Sequence, residues 1–237
     1  MPYRRLPNTD QARIRALKAV VAKADVQNLY DLAVSLKTLT EARNFLTRFE
    51  AAQSYYLQCF ERQSQAGHKH QANVKMARLY VSHFIQVLNL AVIRSEVRVA
   101  HKAYYGLPGD STNVPDLSTE TALVEWGRKI IDGEAKRTSQ GGIPIYNPTI
   151  AKVRVHYDIF TDSYDRQKNL QALTARSLES LSAMRTTADE LILDIWNQVE
   201  KKFEDVSPNE KCLDLCRDYG LIYYYRTGEK RKEEVNK

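Results

Sequence analysis

Met76-Ala77-Arg78-Leu79-Tyr80-Val81-Ser82-His83-Phe84-Ile85-Gln86-Val87-Leu88-Asn89-Leu90-Ala91-Val92-Ile93 is the stretch that decides the fold class. Wound at 3.6 residues per turn, it is apolar around much of its circumference, which predicts a central helix of a bundle. The helical pattern extends from about Gln71 to Tyr105. It ends where Tyr105-Gly106-Leu107-Pro108-Gly109 offers glycine for a left-handed cap with proline just beyond.

Toward the N-terminus, Asn8 with Gln11 predicts the cap of a first helix running to about Lys23, and Val26, Leu29, Ala33 and Leu36 mark a shorter helical segment. Thr38 with Glu41 forms a capping-box pattern that opens a long helix. Its apolar stripe is Ala42, Phe45, Leu46, Phe49, Ala52, Tyr56 and Phe60, and it stops before Gln65-Ala66-Gly67-His68. Toward the C-terminus, a polar loop to Leu117 precedes a helix carrying Leu123, Trp126 and Ile130, which breaks at Gly141-Gly142-Ile143-Pro144. The region from Pro148 to Asp205, if unbroken, would be about 85 Å long at ~1.5 Å per residue, too long for a compact domain of this size. A turn is therefore expected near Arg185-Thr186-Thr187, where Thr187 and Glu190 restart the pattern. Ser207-Pro208-Asn209-Glu210 opens a last short helix ending at Gly220.

Glycine and proline number only 9 and 7 in 237 residues, so few positions force a helix to stop. The fold class is all-α: a long-helix up-and-down bundle with a short extended aromatic segment, Leu221-Ile222-Tyr223-Tyr224-Tyr225, near the end. Phe84-Ile85-Gln86-Val87 resembles Trp196-Asn197-Gln198-Val199, and Tyr105-Gly106-Leu107 resembles Tyr219-Gly220-Leu221, at nearly equal offsets. These matches predict two tandem helical units, 1–107 and 118–225, joined by a linker 108–117 and followed by a charged, disordered tail 226–237.

Three cysteines, Cys59, Cys212 and Cys216, form no disulfide framework, and the opening residues lead into no apolar signal core, so a cytoplasmic location is expected. No uninterrupted apolar run approaches the ~20 residues of a membrane span, and no membrane role is expected. Charge is uneven: residues 1–110 carry 16 Lys/Arg against 8 Asp/Glu, and the remainder 19 against 21. The basic excess therefore belongs wholly to the first half.

The opening Met1-Pro2-Tyr3-Arg4-Arg5-Leu6-Pro7-Asn8-Thr9-Asp10 and the closing Tyr219-Gly220-Leu221-Ile222-Tyr223-Tyr224-Tyr225 carry a resemblance to an uncharacterised all-helical protein family of Bacteroidetes-type bacteria. That resemblance implies a helical fold and brings no activity with it.

Catalytic signatures are missing from the sequence. None of His68, His70, His83, His101 and His156 falls in His-Glu-x-x-His or Glu-x-x-His, and there is no glycine-rich phosphate loop and no Gly-x-Ser-x-Gly. His68-Lys69-His70 is expected in a solvated interhelical turn. Cys212 and Cys216 share one helix face with no histidine nearby in sequence, the pattern of packing residues.

Three groups remain as candidate sites. Arg94, Arg98 and Lys102 repeat every four residues and predict a basic contact stripe able to track phosphates. Asp158, Asp162 and Asp165 predict an acidic face, with His156 beside it. His83, Gln86 and Asn89, together with Ser82, run uncharged along the most apolar helix and predict a buried polar network. Pairing of the basic stripe with the acidic face, within one chain or between two, points to a non-enzymatic protein-binding or assembly module, with a protein partner or homo-oligomer. Weak sequence-independent nucleic-acid binding through Arg94, Arg98 and Lys102 is the alternative, and a metal-dependent helical-bundle enzyme around His156 the second. No cofactor and no resident metal is expected, no small molecule is identifiable from the sequence, and a ligand pocket lined by His83 and Gln86 is the functional alternative to the buried network.

Overall fold

The computed structural model describes residues 2–226, leaving aside the Leu29 side chain; the expected tail from residue 227 onward lies outside the described residues. The chain is all-α. Its elements are strand β1 (Tyr3–Arg4), α1 (Asp10–Val26), a 3-10 helix Leu29–Asp31, α2 (Leu36–Ile93), a 3-10 helix Val99–Tyr105, α3 (Glu120–Ser139), α4 (Ile150–Ala183), α5 (Arg185–Phe203), α6 (Asn209–Asp218) and β2 (Tyr223–Tyr224). The aromatic C-terminal segment pairs antiparallel with the chain's own start, Tyr3 opposite Tyr224 and Arg4 opposite Tyr223.

Local chemistry accounts for most boundaries. Thr9, rather than Asn8, caps α1 by accepting from the Ala12 N–H at 3.1 Å. Ser35 caps α2 through the Thr38 N–H at 3.1 Å, so the Thr38 hydroxyl reinforces the cap instead of forming it. Thr119 caps α3 through the Ala122 N–H. The break expected near Arg185 falls at Met184, between α4 and α5.

Two expectations about α2 are corrected. No turn interrupts it at Gln65-Ala66-Gly67-His68, and the helix is continuous for 58 residues. A single glycine costs a helix only about 1 kcal/mol relative to alanine, and neighbouring turns easily outweigh that. The nearest atom to a Cβ placed on Gly67 is Gln167 Nε2 at 3.5 Å, an ordinary contact. Gly67→Ala should therefore stabilise the protein by about 0.5–1 kcal/mol in urea unfolding. At its other end α2 stops at Ile93, not Tyr105. Ser95 adopts a left-handed φ of 61°, and the Glu96 and Val97 N–H groups turn back onto the Ala91 carbonyl, which ends the helix twelve residues early.

The chain forms two compact units, residues 1–58 with 175–237, and residues 59–174. The first is built on a core including Leu17, Phe49, Ile195, Trp196 and Tyr219. The second is built on Phe84, Ile85, Tyr105, Leu123, Ile130 and Phe160. These units differ from the expected division at 107 and 118. The segment 108–117 is part of the second unit, where Asn89 Nδ2 donates to the Thr112 carbonyl at 2.9 Å, Lys102 Nζ to the Ser111 carbonyl and Arg78 Nε to the Leu117 carbonyl at 2.8 Å.

The Tyr-Gly-Leu triplets occupy like positions, one in each unit. Gly106 and Gly220 have φ of 69° and 84°. The Gly106 and Leu107 N–H groups return to the Ala103 and Lys102 carbonyls, and those of Gly220 and Leu221 return to Arg217 and Cys216, the same i−3 and i−5 pattern. The Tyr105 hydroxyl meets Glu134 and Arg137 near the end of α3; the Tyr219 hydroxyl donates to Gln27 just past α1.

Candidate functional site

The stretch that decides the fold is buried on one side only. Ala77, Val81, Phe84, Ile85, Leu88 and Ala91 pack into the core of the second unit. Between Met76 and Ile93, the exposed residues of α2 are Met76, Leu79, His83, Gln86, Leu90 and Ile93. Their steps of 3, 4, 3, 4 and 3 residues set them in one seam that winds slowly along the helix. Met76, Leu79, Leu90 and Ile93 are 40%, 57%, 50% and 63% exposed, and no charged side chain stands in the seam. This corrects the expected polar network. His83 and Gln86 face outward, Ser82 donates to the Leu79 carbonyl of its own helix, and of the four only Asn89 is buried. Sequence periodicity missed the seam because a helix apolar on all sides does not reveal which side its neighbours leave uncovered.

Α2 also contains an 18-residue window of mean hydropathy 1.4, and it is the one described helix long and apolar enough to cross a membrane. Of that window, 39% is buried inside the protein.

A second feature is an open groove of about 980 Å³ in the second unit, lined by residues of α2 and α4 that include Arg62, Lys69, His70, Asp162, Ser163 and Arg166. His70, expected in a loop, lies on α2 and is only 4% exposed. Its Nδ1 is 2.8 Å from Ser163 Oγ and its Nε2 is 3.1 Å from Glu120 Oε1. Ser163 Oγ also lies 2.9 Å from the Phe160 carbonyl, to which its hydroxyl can donate. Serine, imidazole and carboxylate in series supply a nucleophile and a base, but nucleophilic catalysis also needs donors aimed at a developing oxyanion. Ser163 lies in the interior of α4, where the backbone N–H groups serve the helix itself. The His70–Ser163 hydrogen bond joins α2 to α4, while the Glu120 carboxylate, at the first residue of α3, lies beside the ring without hydrogen-bonding to Nε2. No spacing in the sequence relates residues 70, 120 and 163.

The third feature is a buried ionic cluster. Glu134 and Arg137 on α3 are 1% and 2% exposed. Arg137 Nη2 donates to Glu134 Oε1 at 2.8 Å and to the Ile143 carbonyl at 2.8 Å, while its Nε donates to the Tyr105 hydroxyl at 2.7 Å. The Tyr105 hydroxyl donates to Glu134 Oε2, and the Ile145 N–H donates to Glu134 Oε1 at 3.1 Å. Burial alone would raise the Glu134 carboxyl. The hydrogen bonds from Arg137, Tyr105 and Ile145 outweigh it and hold the group below its ordinary value. Burial and the adjacent carboxylate push the Tyr105 phenol up. The cluster's hydrogen bonds to the Ile143 carbonyl and the Ile145 N–H fasten the loop after α3 onto the unit.

The remaining sequence candidates are dispersed. The basic stripe does not form, because α2 ends at Ile93, before its first member: Arg94 pairs with Glu96 at 2.8 Å, Arg98 is exposed before the 3-10 helix, and Lys102 is buried. Asp158, Asp162 and Asp165 are all exposed on α4, and His156 stacks on Tyr80 with ring centres 4.1 Å apart. Among the described residues, no three His, Cys, Asp or Glu side chains come together in a way that could hold a metal ion. Cys212 and Cys216 are buried in the first unit, and burial pushes the Cys216 thiol up to about 11, the opposite of what a reactive thiolate requires.

Fold and surfaces together define an all-α helical-bundle protein with an uncharged exposed seam. Comparison of the chain with protein-family models, with curated proteins and with solved structures finds no match.

Proposed function

We propose that this chain is a non-enzymatic assembly module whose contact surface is the seam Met76, Leu79, His83, Gln86, Leu90 and Ile93 on α2. The carrying observation is the absence of charge from that seam while four large apolar side chains remain 40–63% exposed. A solvated helix face normally carries lysine, arginine or glutamate, and a row of apolar side chains at steps of three and four is what a partner helix packs into. In this account each Tyr-Gly-Leu triplet performs the same capping role, one in each of the two helical units. The basic stripe invoked for nucleic-acid binding has lost its surface to the burial of Lys102, so assembly is preferred.

The role is tested by placing a photo-cross-linking amino acid at Leu79 in cells that produce the chain, with the same group at exposed Glu61 as control. Protein adducts should form from position 79 and not from position 61. Equal labelling at both positions, or none at 79, would remove the seam as a contact surface.

A further inference from the structure

We infer that the seam on α2 binds the same seam of a second copy of this chain, the two helices running antiparallel about a twofold axis that passes between His83 and Gln86. The inference rests on the assembly role proposed above and names its partner. Its basis is the order of residues along the seam. Apolar Met76 and Leu79 are followed by polar His83 and Gln86 and then by apolar Leu90 and Ile93, with steps that read the same in both directions. A twofold axis at the centre sets Met76 opposite Ile93 of the second copy, Leu79 opposite Leu90, and His83 opposite Gln86. Every apolar side chain then meets an apolar one, and both polar side chains meet each other. Such self-complementarity is what an isologous contact requires, since residue i must suit j while j suits i.

The polar pair selects the direction. In a parallel pair, imidazole faces imidazole and the two repel when protonated. In the antiparallel pair each imidazole faces a carboxamide, whose donor and acceptor suit either tautomer. Antiparallel helices also bring opposite ends of their dipoles together. A lipid occupant is disfavoured by the same pair, because His83 and Gln86 stand at the middle of the seam, where they would meet hydrocarbon. One polar pair in an apolar helix contact costs stability but specifies register, which fits its central position.

The test uses the full chain carrying Leu79→Cys or Leu90→Cys. The three native cysteines are buried, leaving the introduced thiol as the accessible one. In the antiparallel pair the two copies of residue 79 stand roughly 16 Å apart, at ~1.5 Å of rise per residue over eleven residues, whereas residues 79 and 90 of opposite copies are neighbours. A disulfide bridges Cα atoms up to about 7 Å apart. Under mild oxidation an equimolar mixture of the two variants should give a covalent dimer on a non-reducing gel, and neither variant alone should. The wild-type chain should sediment at twice its 27.3 kDa, and Leu79→Glu with Leu90→Glu should return it to 27.3 kDa with unchanged helical circular dichroism.

Cross-linking of Leu79→Cys with itself would overturn the antiparallel register in favour of a parallel pair. Sedimentation at 27.3 kDa with no cross-link in any combination would overturn the second copy as partner. In that event, adducts of the Leu79 photoprobe to a different protein would keep the assembly role, and their absence would end it. Sedimentation of the monomeric chain with phosphatidylcholine–phosphatidylserine vesicles, abolished by the double glutamate change, would replace the protein partner with a lipid surface.

Discussion

Glu134→Ala should destabilise the protein by about 3–5 kcal/mol, read as a fall in the urea midpoint, because it leaves the Arg137 guanidinium buried without its counter-charge. Both residues are at most 2% exposed, so water cannot solvate the orphaned cation. Glu134→Leu combined with Arg137→Met should recover most of that loss, because the penalty belongs to the unpaired charge and not to the absence of an ion pair. A double change that is no better than Glu134→Ala would show that shape, not charge, is what the cluster supplies.

The same cluster sets an acid limit. The Glu134 carboxyl titrates lower in the folded chain than in the unfolded one. It therefore contributes stability that is fully present above the unfolded-state value, ~4.3 for glutamate, and is lost as pH falls through the folded value. Wild-type stability should decline below about pH 4.3, and the Glu134→Leu, Arg137→Met protein should show a shallower decline over the same range.

Gly133→Ala should destabilise by about 1–3 kcal/mol in the same urea experiment, although helix propensity alone favours alanine by about 1 kcal/mol. A Cβ at Gly133 would stand 2.5 Å from Tyr105 Cδ1 and 2.8 Å from the Tyr104 carbonyl oxygen. The ring is fully buried in the core, and the carbonyl belongs to backbone that continues directly into the Gly106 cap, so neither has room to retreat. An increase in stability for Gly133→Ala would mean that the 3-10 segment yields easily and that the close approach is not required.

The two glycine predictions, opposite in sign, mark where local rules stop. Gly67 and Gly133 both sit inside helices, and nothing in their neighbouring residues distinguishes them. The first is open and the second faces a tyrosine ring 28 residues earlier in the chain. The same applies to the candidate sites. Arg94, Arg98 and Lys102 have flawless helical spacing, and one residue, Ser95 at positive φ, separates them into a surface ion pair, an exposed cap and a buried donor. His70 lay in a segment read as a loop, and its partners Glu120 and Ser163 come from two other helices.

By itself the sequence determined the helical class, because a scarcity of glycine and proline combined with apolar steps of three and four leaves the backbone no other way to bury its side chains. It also determined the Gly106 and Gly220 caps, since a left-handed φ strongly favours glycine. Tertiary structure alone decided which side of the Met76–Ile93 helix is covered, where α2 ends, and which charges meet inside the second unit. Periodicity fixes how side chains are arranged around one helix, whereas burial depends on what other helices place against it, and that is a property of the packed chain.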